Sequence, residues 1–550
     1  MGEFGRGLER LSALQYAYVI ASQSLTATDR DAARGLLAAV LDAHGESGFD
    51  RLDAELLLHL ALKERDFETV DRVLDTMPLR RGVRQLGQTD AVNPWIRPGC
   101  DEATWLAALN ENLYGGVLLP VALRSDGETP FDRLTAGAFR PVTHERRITV
   151  VMSCYNPDRH LLTAVRSVVE QTWQNFELLI VDDASTAPEP GVLEATERMD
   201  GRVRVIRKSV NGGTYRARNM ALRQATGDFF TCVDSDDWIH PQRLELSVAP
   251  LLSDPALIAT RGSGVRATPE VEFSRIGRGG RMVASSSLMV RTFPGLIRLG
   301  FFDSVRKAAD NEYAMRLEAA FGGSIVTLPR HALTVLLSHD ASLSASDFAP
   351  GWRHGARSEY TESQERFHRE IREGQRSAFL DPNAPRPFPA PRRWERHPED
   401  GEPPGALDLC VIADWRSECA DEAIVDYLSQ VASRGGRVGV VHTESLHVLR
   451  AVADPITPVL RELIATGSIE RIYLDDVREI RRLVIGDPRP FQFPDEVAVR
   501  LNPGRLQVRS MAVAEALGQY DAETVGKHLR GMFGVSPTWH GDLLAPAFAD

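Results

Sequence analysis

The feature that most constrains the fold is a regular alternation of short apolar segments and amphipathic segments between residues 147 and 237. Alternation of this kind predicts a mostly parallel sheet covered by helices, because parallel neighbours need crossover connections. Ligands of such sheets bind outside the carboxyl ends of the strands. The predicted strands are Ile148 to Met152, Phe176 to Val181, Val203 to Ile206 and Phe229 to Val233, and the predicted helices are Arg159 to Gln171 and Thr214 to Ala225.

Three further regions flank this segment and complete a predicted α/β architecture of several domains. Apolar residues at helical spacing predict a helical N-terminal domain, with a less regular stretch that braces the next domain, over 1–140. The central α/β domain is expected at 147–380, and a proline-rich linker at 381–405. A second strand and helix pattern predicts a smaller Rossmann-like domain at 406–550, without the G-x-G-x-x-G loop of dinucleotide binding.

Composition excludes several classes of function. The formal net charge of -12 disfavours a broad basic surface for nucleic acid. The five cysteines are scattered and form no C-x-x-C pair, so neither a zinc site nor a disulfide framework is expected. No apolar segment is long enough to span a bilayer and no signal peptide is evident, which predicts a cytoplasmic protein. Contact with a membrane-linked partner would then be peripheral.

The strongest chemical signal is an acidic cluster after the fourth predicted strand, Asp234-Ser235-Asp236-Asp237. Three carboxylates in four residues repel one another unless a cation lies among them. A hard divalent cation with oxygen ligands is the natural partner. A solvated acidic turn or a helix N-terminus would explain the same residues without a metal.

A glycine-containing loop, Asn211-Gly212-Gly213, precedes the predicted helix that begins at Thr214. Glycine allows close approach of the backbone, and a helix N-terminus favours an anion. An ordinary turn before a helix is the alternative. The position of the loop favours the anion-binding interpretation, since it lies between the second strand end, Asp182-Asp183, and the acidic cluster.

Residues from Arg147 to about Ser344 resemble glycosyltransferase family 2, which has the GT-A fold. The resemblance is carried by the strand end Ser153-Cys154-Tyr155-Asn156, by V-D-D-A-S, by N-G-G-T-Y-R-A-R-N and by D-S-D-D-W. It implies a metal ligand at Asp236, with Mn²⁺ or Mg²⁺ as the cofactor. The residues that it implies for nucleotide-sugar binding are Tyr155, Asn156, Asp183, Gly213, Arg218 and Asp234.

The resemblance also implies a catalytic base at Asp310, six residues before Arg316. Ala309 stands where the family usually has glutamate, and Glu312 is a reserve candidate for the base. A helix N-cap is the alternative role for Asp310. His339, which follows an apolar strand-like run, is expected to complete the metal shell, as a borderline ligand for manganese.

The function implied is an inverting transfer of a sugar, from a nucleotide-sugar donor that is UDP-linked, to a hydroxyl of a glycan or lipid-linked acceptor in cell-surface polysaccharide or glycoconjugate synthesis. Two alternatives stay open: a sugar-nucleotide nucleotidyltransferase, and a non-catalytic binding or assembly protein on a GT-A core. Acceptor specificity is expected in a loop from about Arg261 to Ser287. The patch Phe533 to Trp539 resembles half of a GT-B enzyme, from which no active residue is carried over.

Overall fold

The computed structural model describes residues 10–23, 27–276, 280–338, 347–349, 352–395, 405–417, 419–444, 456–492 and 499–541. The chain divides into two compact units. The first comprises Met1–Arg357 and Gln364–Pro387, and the second comprises Ser358–Ser363 and Phe388–Asp550. The proline-rich segment therefore divides between them, with Pro387 in the first unit and Phe388 in the second.

The described N-terminal residues form helices, as the apolar spacing predicts. Their apolar faces form a hydrophobic core of their own, with Leu58, Leu60 and Val70 at its centre. Asp50 caps the third helix by accepting hydrogen bonds from Leu52 N and Asp53 N. The helices are α1 (Arg10–Gln23), α2 (Ala27–His44), α3 (Arg51–Lys63), α4 (Phe67–Thr76), α5 (Arg81–Ala91) and α6 (Glu102–Tyr114).

A two-stranded ribbon follows, β1 (Val121–Leu123) with β2 (Leu134–Ala136), and it joins the helices to the main sheet. Trp105 of α6 and Phe131 beside the ribbon are fully buried in one core with Trp238 and Val335, which belong to the sheet. This shared core packs α6 and the ribbon against the sheet.

The main sheet of the first unit is mixed and has nine strands. Its first four strands in the chain pair in parallel in the order β5-β4-β3-β6, and β10 adds antiparallel to β6. These are the four strands that the sequence predicts, with ends shifted by up to two residues. The elements are β3 (Ile148–Cys154), α7 (His160–Val169), β4 (Phe176–Asp182), α8 (Val192–Met199), β5 (Val203–Arg207), α9 (Thr214–Leu222), β6 (Phe229–Cys232), β7 (Trp238–Ile239), α10 (Arg243–Ser253), β8 (Ala259–Ala267), β9 (Met282–Val283), β10 (Met289–Arg291), α11 (Thr292–Leu299), α12 (Ala309–Phe321) and β11 (Ile325–Leu337).

One expectation is wrong at its start, because Arg261 to Ala267 is not loop but part of strand β8. This strand lies between β10 and β11 in the sheet. Its R-G-S-G run does not predict a strand, since glycine is depleted in strands. The small residue is required: a side chain at Gly264 would place a Cβ 2.8 Å from Leu336 Cδ1 and from Thr334 O. The rest of the predicted specificity loop, described except for 277–279, runs from Thr268 to Ser287.

Two short strands and a long helix follow, and Ser358–Ser363 of this helix belong to the second unit. The described residues of the second unit add five helices and a six-stranded sheet in which every strand pairing is parallel. The elements are β12 (Phe348–Ala349), β13 (Trp352–Arg353), α13 (Gly355–Arg372), α14 (Arg392–Glu395), β14 (Leu407–Ala413), α15 (Glu422–Ser433), β15 (Val438–His442), α16 (Pro458–Ala465), β16 (Glu470–Arg471), β17 (Arg478–Ile485), β18 (Leu501–Arg509), α17 (Ala512–Ala516), α18 (Ala522–Phe533) and β19 (Thr538–His540).

The strand order of this second sheet, β16-β15-β14-β17-β18-β19, is the doubly wound order of Rossmann domains. The predicted fold class of the C-terminal region is thereby confirmed. The two strands at the point where the order reverses end in matching turns, Asp414-Trp415-Arg416 and Asp487-Pro488-Arg489. In each turn the arginine pairs with the aspartate two residues before it, so the strand ends are closed by ion pairs rather than by a glycine loop.

Candidate nucleotide-sugar site

The loops after β3 and β4 are tied together at the carboxyl edge of the main sheet. Asn156 takes the left-handed conformation, with φ 47°, which asparagine tolerates better than most residues. Its side-chain Oδ1 accepts hydrogen bonds from Thr186 N and Ala187 N, both at 2.8 Å. Tyr155, beside it, is 47% exposed. Asn156 therefore fixes the two loops to each other, and Tyr155 is exposed beside them.

Asp183 is buried beneath the glycine-containing loop and organises it. Its carboxylate accepts hydrogen bonds from Gly212 N at 3.0 Å and from Gly213 N at 2.6 Å, and it also pairs with Lys208. Gly213 has φ 86° and precedes the first residue of α9, so the loop turns sharply into the helix. The predicted nucleotide contacts Asp183 and Gly213 are thus brought together, with the carboxylate holding the loop from below.

Helix α9 has one buried face that contacts the residues after β6 and before α12. Tyr215, Arg218 and Asn219 share this face, because residues three and four apart on a helix are neighbours. Arg218, only 2% exposed, pairs with Asp234 at the end of β6, and its guanidinium lies 5.3 Å from the Tyr215 ring centre. Asn219 holds Phe302 by two hydrogen bonds, of 2.8 Å to Phe302 O and 2.9 Å from Phe302 N.

The acidic cluster lies in the turn between β6 and β7, where the sequence predicts it. Burial raises the pKa of Asp234, and Asp236 and Asp310 raise it further, whereas Arg218 opposes the rise. Asp237 accepts from Leu337 N at 3.2 Å, which brings the end of β11 to the cluster. Its Oδ2 is buried and has no hydrogen-bond partner among the described residues, and burial raises the pKa of Asp237 well above its usual value. Crowded carboxylates of this kind fit a hard divalent cation.

The described part of the chain supplies an incomplete ligand set for such an ion. Within it, no group of three or more His, Cys, Asp or Glu side chains is arranged to hold a metal. Asp236 is partly exposed at the cluster and stays the predicted ligand. His339, the other predicted ligand, lies outside the described residues.

Asp310 lies next to Tyr215 of α9, although it comes 95 residues later in the chain. Its Oδ1 accepts hydrogen bonds from the Tyr215 hydroxyl and from Asn311 N, both at 2.9 Å. The N-cap role is wrong, because the cap of α12 is Ala308, with φ 65°, and Asp310 is the second residue of the helix. The Asp310 carboxylate also lines a narrow pocket with Arg218, Cys232 and other residues.

Glu312, the reserve candidate for the base, is fully buried and committed to other partners. It pairs with Arg316 at 2.9 Å and with His368 at 3.2 Å. Arg316 is also fully buried and donates to the carbonyl oxygens of Leu299, Phe301 and Ala378. The family-like Arg316 therefore anchors α12 to its surroundings, and Glu312 offers no oxygen to an acceptor.

Sequence reasoning missed two other groups that shape the site. Tyr215 lies inside a quoted motif, but its contact with Asp310 has no signal in the sequence. Asp132, from the brace, accepts a hydrogen bond from Thr163 Oγ1 at 2.8 Å and pairs with His160 at 3.1 Å. The hydrogen bond to Asp132 is the first cause that raises the pKa of His160, and Asp236 adds to the rise.

None of the described helices is both long and apolar enough to cross a bilayer. All five cysteines are free thiols.

Comparison with known sequences identifies the central region. The sequence model of glycosyl transferase family 2 matches residues 149–300. Glycosyltransferase GlyG of Streptococcus pneumoniae is 38% identical over 98 residues, which are 18% of this chain and 33% of that protein. The putative colanic acid biosynthesis glycosyl transferase WcaA of Escherichia coli is 34% identical over 102 residues, 18% of this chain and 37% of that protein. The chain thus spans little more than a third of the length of these relatives.

Two solved structures are also similar to parts of this chain. A structure of S. aureus TarS with UDP-GlcNAc has a TM-score of 0.33 and 20% identity, covering 42% of this chain and 71% of that one. The mannosyltransferase PcManGT from Pyrobaculum calidifontis, with GDP-Man and Mn2+, has a TM-score of 0.30 and 16% identity, covering 60% and 77%. On the strength of the family match and of the strands and motifs within it, residues 149–300 are identified as a glycosyl transferase family 2 sequence, and the sheet to which they belong has the mostly parallel start of a GT-A fold.

Proposed function

We propose that the chain is a metal-dependent, inverting glycosyltransferase that moves a sugar from a UDP-linked donor to a hydroxyl of a glycan or lipid-linked acceptor. The observation that carries the proposal is the convergence of four motifs at one sheet edge. Asp183 accepts a hydrogen bond from Gly213 N, directly before helix α9, and the α9 side chains Arg218 and Tyr215 bind Asp234 and Asp310. We place this activity in cell-surface polysaccharide or glycoconjugate synthesis, on the cytoplasmic side.

The donor end of the site is assigned to the loops after β3, β4 and β5. Tyr155 offers an exposed ring against which a base can stack, and Asn156 fixes the backbone beside it. The turn at Gly213 leads into the N-terminus of α9, where backbone N–H groups and the helix dipole favour an anion. A nucleoside diphosphate combines an aromatic base with an anionic tail and therefore suits this arrangement.

Asp236, with Asp234 beside it, is the proposed holder of Mn²⁺ or Mg²⁺, and His339 is proposed to join them. A bound divalent cation supplies charge neutralisation for a departing diphosphate. Arg218 keeps the Asp234 carboxylate in a fixed position by pairing with it from the buried side. The family relatives support the transferase chemistry, and the PcManGT complex contains Mn2+.

The proposed reaction is a single displacement at the anomeric carbon. The acceptor oxygen forms a bond to that carbon while the bond from the carbon to the diphosphate oxygen breaks, and the nucleoside diphosphate leaves with the electron pair. Asp310 takes the proton of the acceptor hydroxyl. One displacement inverts the anomeric configuration, and no covalent intermediate on the protein is needed.

Calorimetric titration with UDP tests the donor end of this proposal. We expect UDP to bind much more tightly with Mn²⁺ than in EDTA, and Asp236→Ala to abolish that difference. Asp42→Ala, which changes an exposed aspartate on α2, serves as the matched control and is expected to bind UDP like the unmodified chain. Equal affinity for UDP with Mn²⁺ and in EDTA would contradict the metal-dependent donor site.

Two other functions predict different outcomes in a second experiment. A nucleotidyltransferase would release pyrophosphate from UTP in the presence of a sugar 1-phosphate. A non-catalytic binding protein would bind UDP but release none from any UDP-sugar. A thermal-shift screen of UDP-, GDP- and dTDP-sugars, with and without Mn²⁺, followed by assay of the stabilising compounds, separates these outcomes from glycosyl transfer.

A further inference from the structure

The Asp310 carboxylate is held in an asymmetric way. Both of its hydrogen bonds, from the Tyr215 hydroxyl and from Asn311 N, fall on Oδ1. Within the described part of the chain, Oδ2 receives no hydrogen bond. A carboxylate fixed through one oxygen presents the other in a defined direction, so Oδ2 is the oxygen available to a substrate proton.

The Tyr215 side chain is itself rigid. It is 5% exposed, and its ring contacts that of Phe302, with 5.7 Å between the ring centres. Burial and the neighbouring Asp310 hold the pKa of Tyr215 well above its usual value, so the hydroxyl keeps its proton and donates it to the carboxylate. A buried, protonated tyrosine is a fixed donor of this kind.

Helix α9 connects this contact to the donor end of the site. Tyr215 is the second residue of α9, two positions after Gly213, and Arg218 on the same face pairs with Asp234. The acidic cluster and Asp310 are thus both positioned from one helix, although they come from separate parts of the chain. A shift of α9 would move both carboxylates together.

We propose that Tyr215 is a positioning residue, whose hydroxyl holds Oδ1 of Asp310 so that Oδ2 meets the proton of the incoming acceptor. The inference rests on the proposed function, because it gives Asp310 the role of base. In the step itself, the acceptor O–H bond breaks, its proton passes to Oδ2, and the acceptor oxygen bonds to the anomeric carbon as the diphosphate leaves. Tyr215 keeps its own proton throughout.

The test is Tyr215→Phe in the full chain, assayed by nucleoside diphosphate release from whichever UDP-, GDP- or dTDP-sugar the unmodified chain hydrolyses fastest. Water then serves as the acceptor. A hydrogen bond to a charged group contributes enough that kcat should fall by about 10- to 100-fold. The donor KM should stay within about twofold, because the uniform binding of the donor is untouched.

Tyr313→Phe is the matched control. Tyr313 is fully buried and its ring lies against Phe302, at 4.7 Å, but its hydroxyl has no hydrogen-bond partner among the described residues. We expect Tyr313→Phe to retain the kcat of the unmodified chain. Equal losses in the two variants would show that removing any buried hydroxyl here disturbs packing, and would overturn the positioning role.

One further readout separates positioning from stability. In the Asp310→Asn background, Tyr215→Phe should have almost no further effect on kcat, since the hydroxyl acts through the carboxylate. Additive losses would refute the inference.

Failure of this inference is distinguishable from failure of the proposed function. If the unmodified chain releases no nucleoside diphosphate from any donor, the proposed function itself is contradicted and the inference with it. If the unmodified chain is active and Tyr215→Phe matches it in kcat, only the role of Tyr215 is wrong.

Discussion

Replacement of Arg316 by methionine removes the buried anchor of the helix that carries Asp310. Arg316 has no exposed side-chain surface, and it pairs with Glu312, which has none either. Its remaining N–H groups donate to the carbonyl oxygens of Leu299, Phe301 and Ala378. Methionine fills a similar volume, so the loss is mainly one of charge and hydrogen bonds. Glu312 and three carbonyl groups are left buried without this partner.

The loss in free energy of unfolding caused by Arg316→Met follows from the burial of the Arg316–Glu312 ion pair. Removing one member of a buried ion pair typically costs about 3–5 kcal/mol, because the other charge stays buried. Unfolding entropy is about 2.1 cal/mol/K per residue, which for the roughly 380 residues of the first unit gives about 0.8 kcal/mol/K. A loss of about 4 kcal/mol therefore lowers the melting temperature of this unit by about 5 °C.

Differential scanning calorimetry measures this shift, and Arg376→Met is its control. Arg376 pairs with Glu370 at 3.1 Å, but its side chain is 47% exposed, and such pairs contribute about 0–1 kcal/mol. The control should therefore melt within about 1 °C of the unmodified chain. If Arg316→Met melts as the control does, the buried network does not stabilise α12 in the way described here.

Three further predictions concern the base, pH and the boundary between the units. Asp310→Asn should lower the rate of transfer by about 10²–10⁴-fold with UDP affinity unchanged, and a stable variant with normal transfer would refute the assignment. Burial, followed by the charge of Glu272, raises the pKa of Asp90 to about 7. Since the folded chain then keeps a proton that the unfolded chain loses above about pH 4, stability should fall as pH rises from about 4 to 7, and melting curves of Asp90→Asn should show a shallower fall. A chain ending at Pro387 should fold and bind UDP, whereas one ending before Ala378 should melt earlier, because it lacks a carbonyl that Arg316 holds.

The sequence predicts well those elements in which an apolar run indicates burial and the adjoining polar residues mark the ends. Ile148 to Met152 is apolar and β-branched and stops at polar residues, and the structure places a buried strand there. Strand β8 was missed because its Arg261-Gly262-Ser263-Gly264 run has low strand propensity, and its stability comes from pairing on both sides. Strand propensity, which depends on local sequence, cannot show that β8 pairs with β10 and β11, since both lie further along the chain.

The candidate site divides in the same way. Asp183, Gly213, Asp234 and Asp236 can be predicted because they follow strands whose carboxyl ends meet at one edge. The contact between Tyr215 and Asp310 cannot be predicted, because it joins two helices, α9 and α12, through residues 95 positions apart in the chain. Ala308 is also unexpected as a helix cap, since its left-handed conformation is disfavoured for alanine.

Glycosyl transfer by this chain is tested most directly by release of nucleoside diphosphate from a panel of UDP-, GDP- and dTDP-sugars, measured with Mn²⁺, with Mg²⁺ and in EDTA. We expect release from at least one donor in the presence of a divalent cation, little in EDTA, and loss of release in both Asp236→Ala and Asp310→Asn. Only Asp236→Ala should also lose UDP affinity. A folded chain that binds UDP and releases nothing from any donor, or whose release survives both substitutions, would contradict a transferase centred on these two carboxylates.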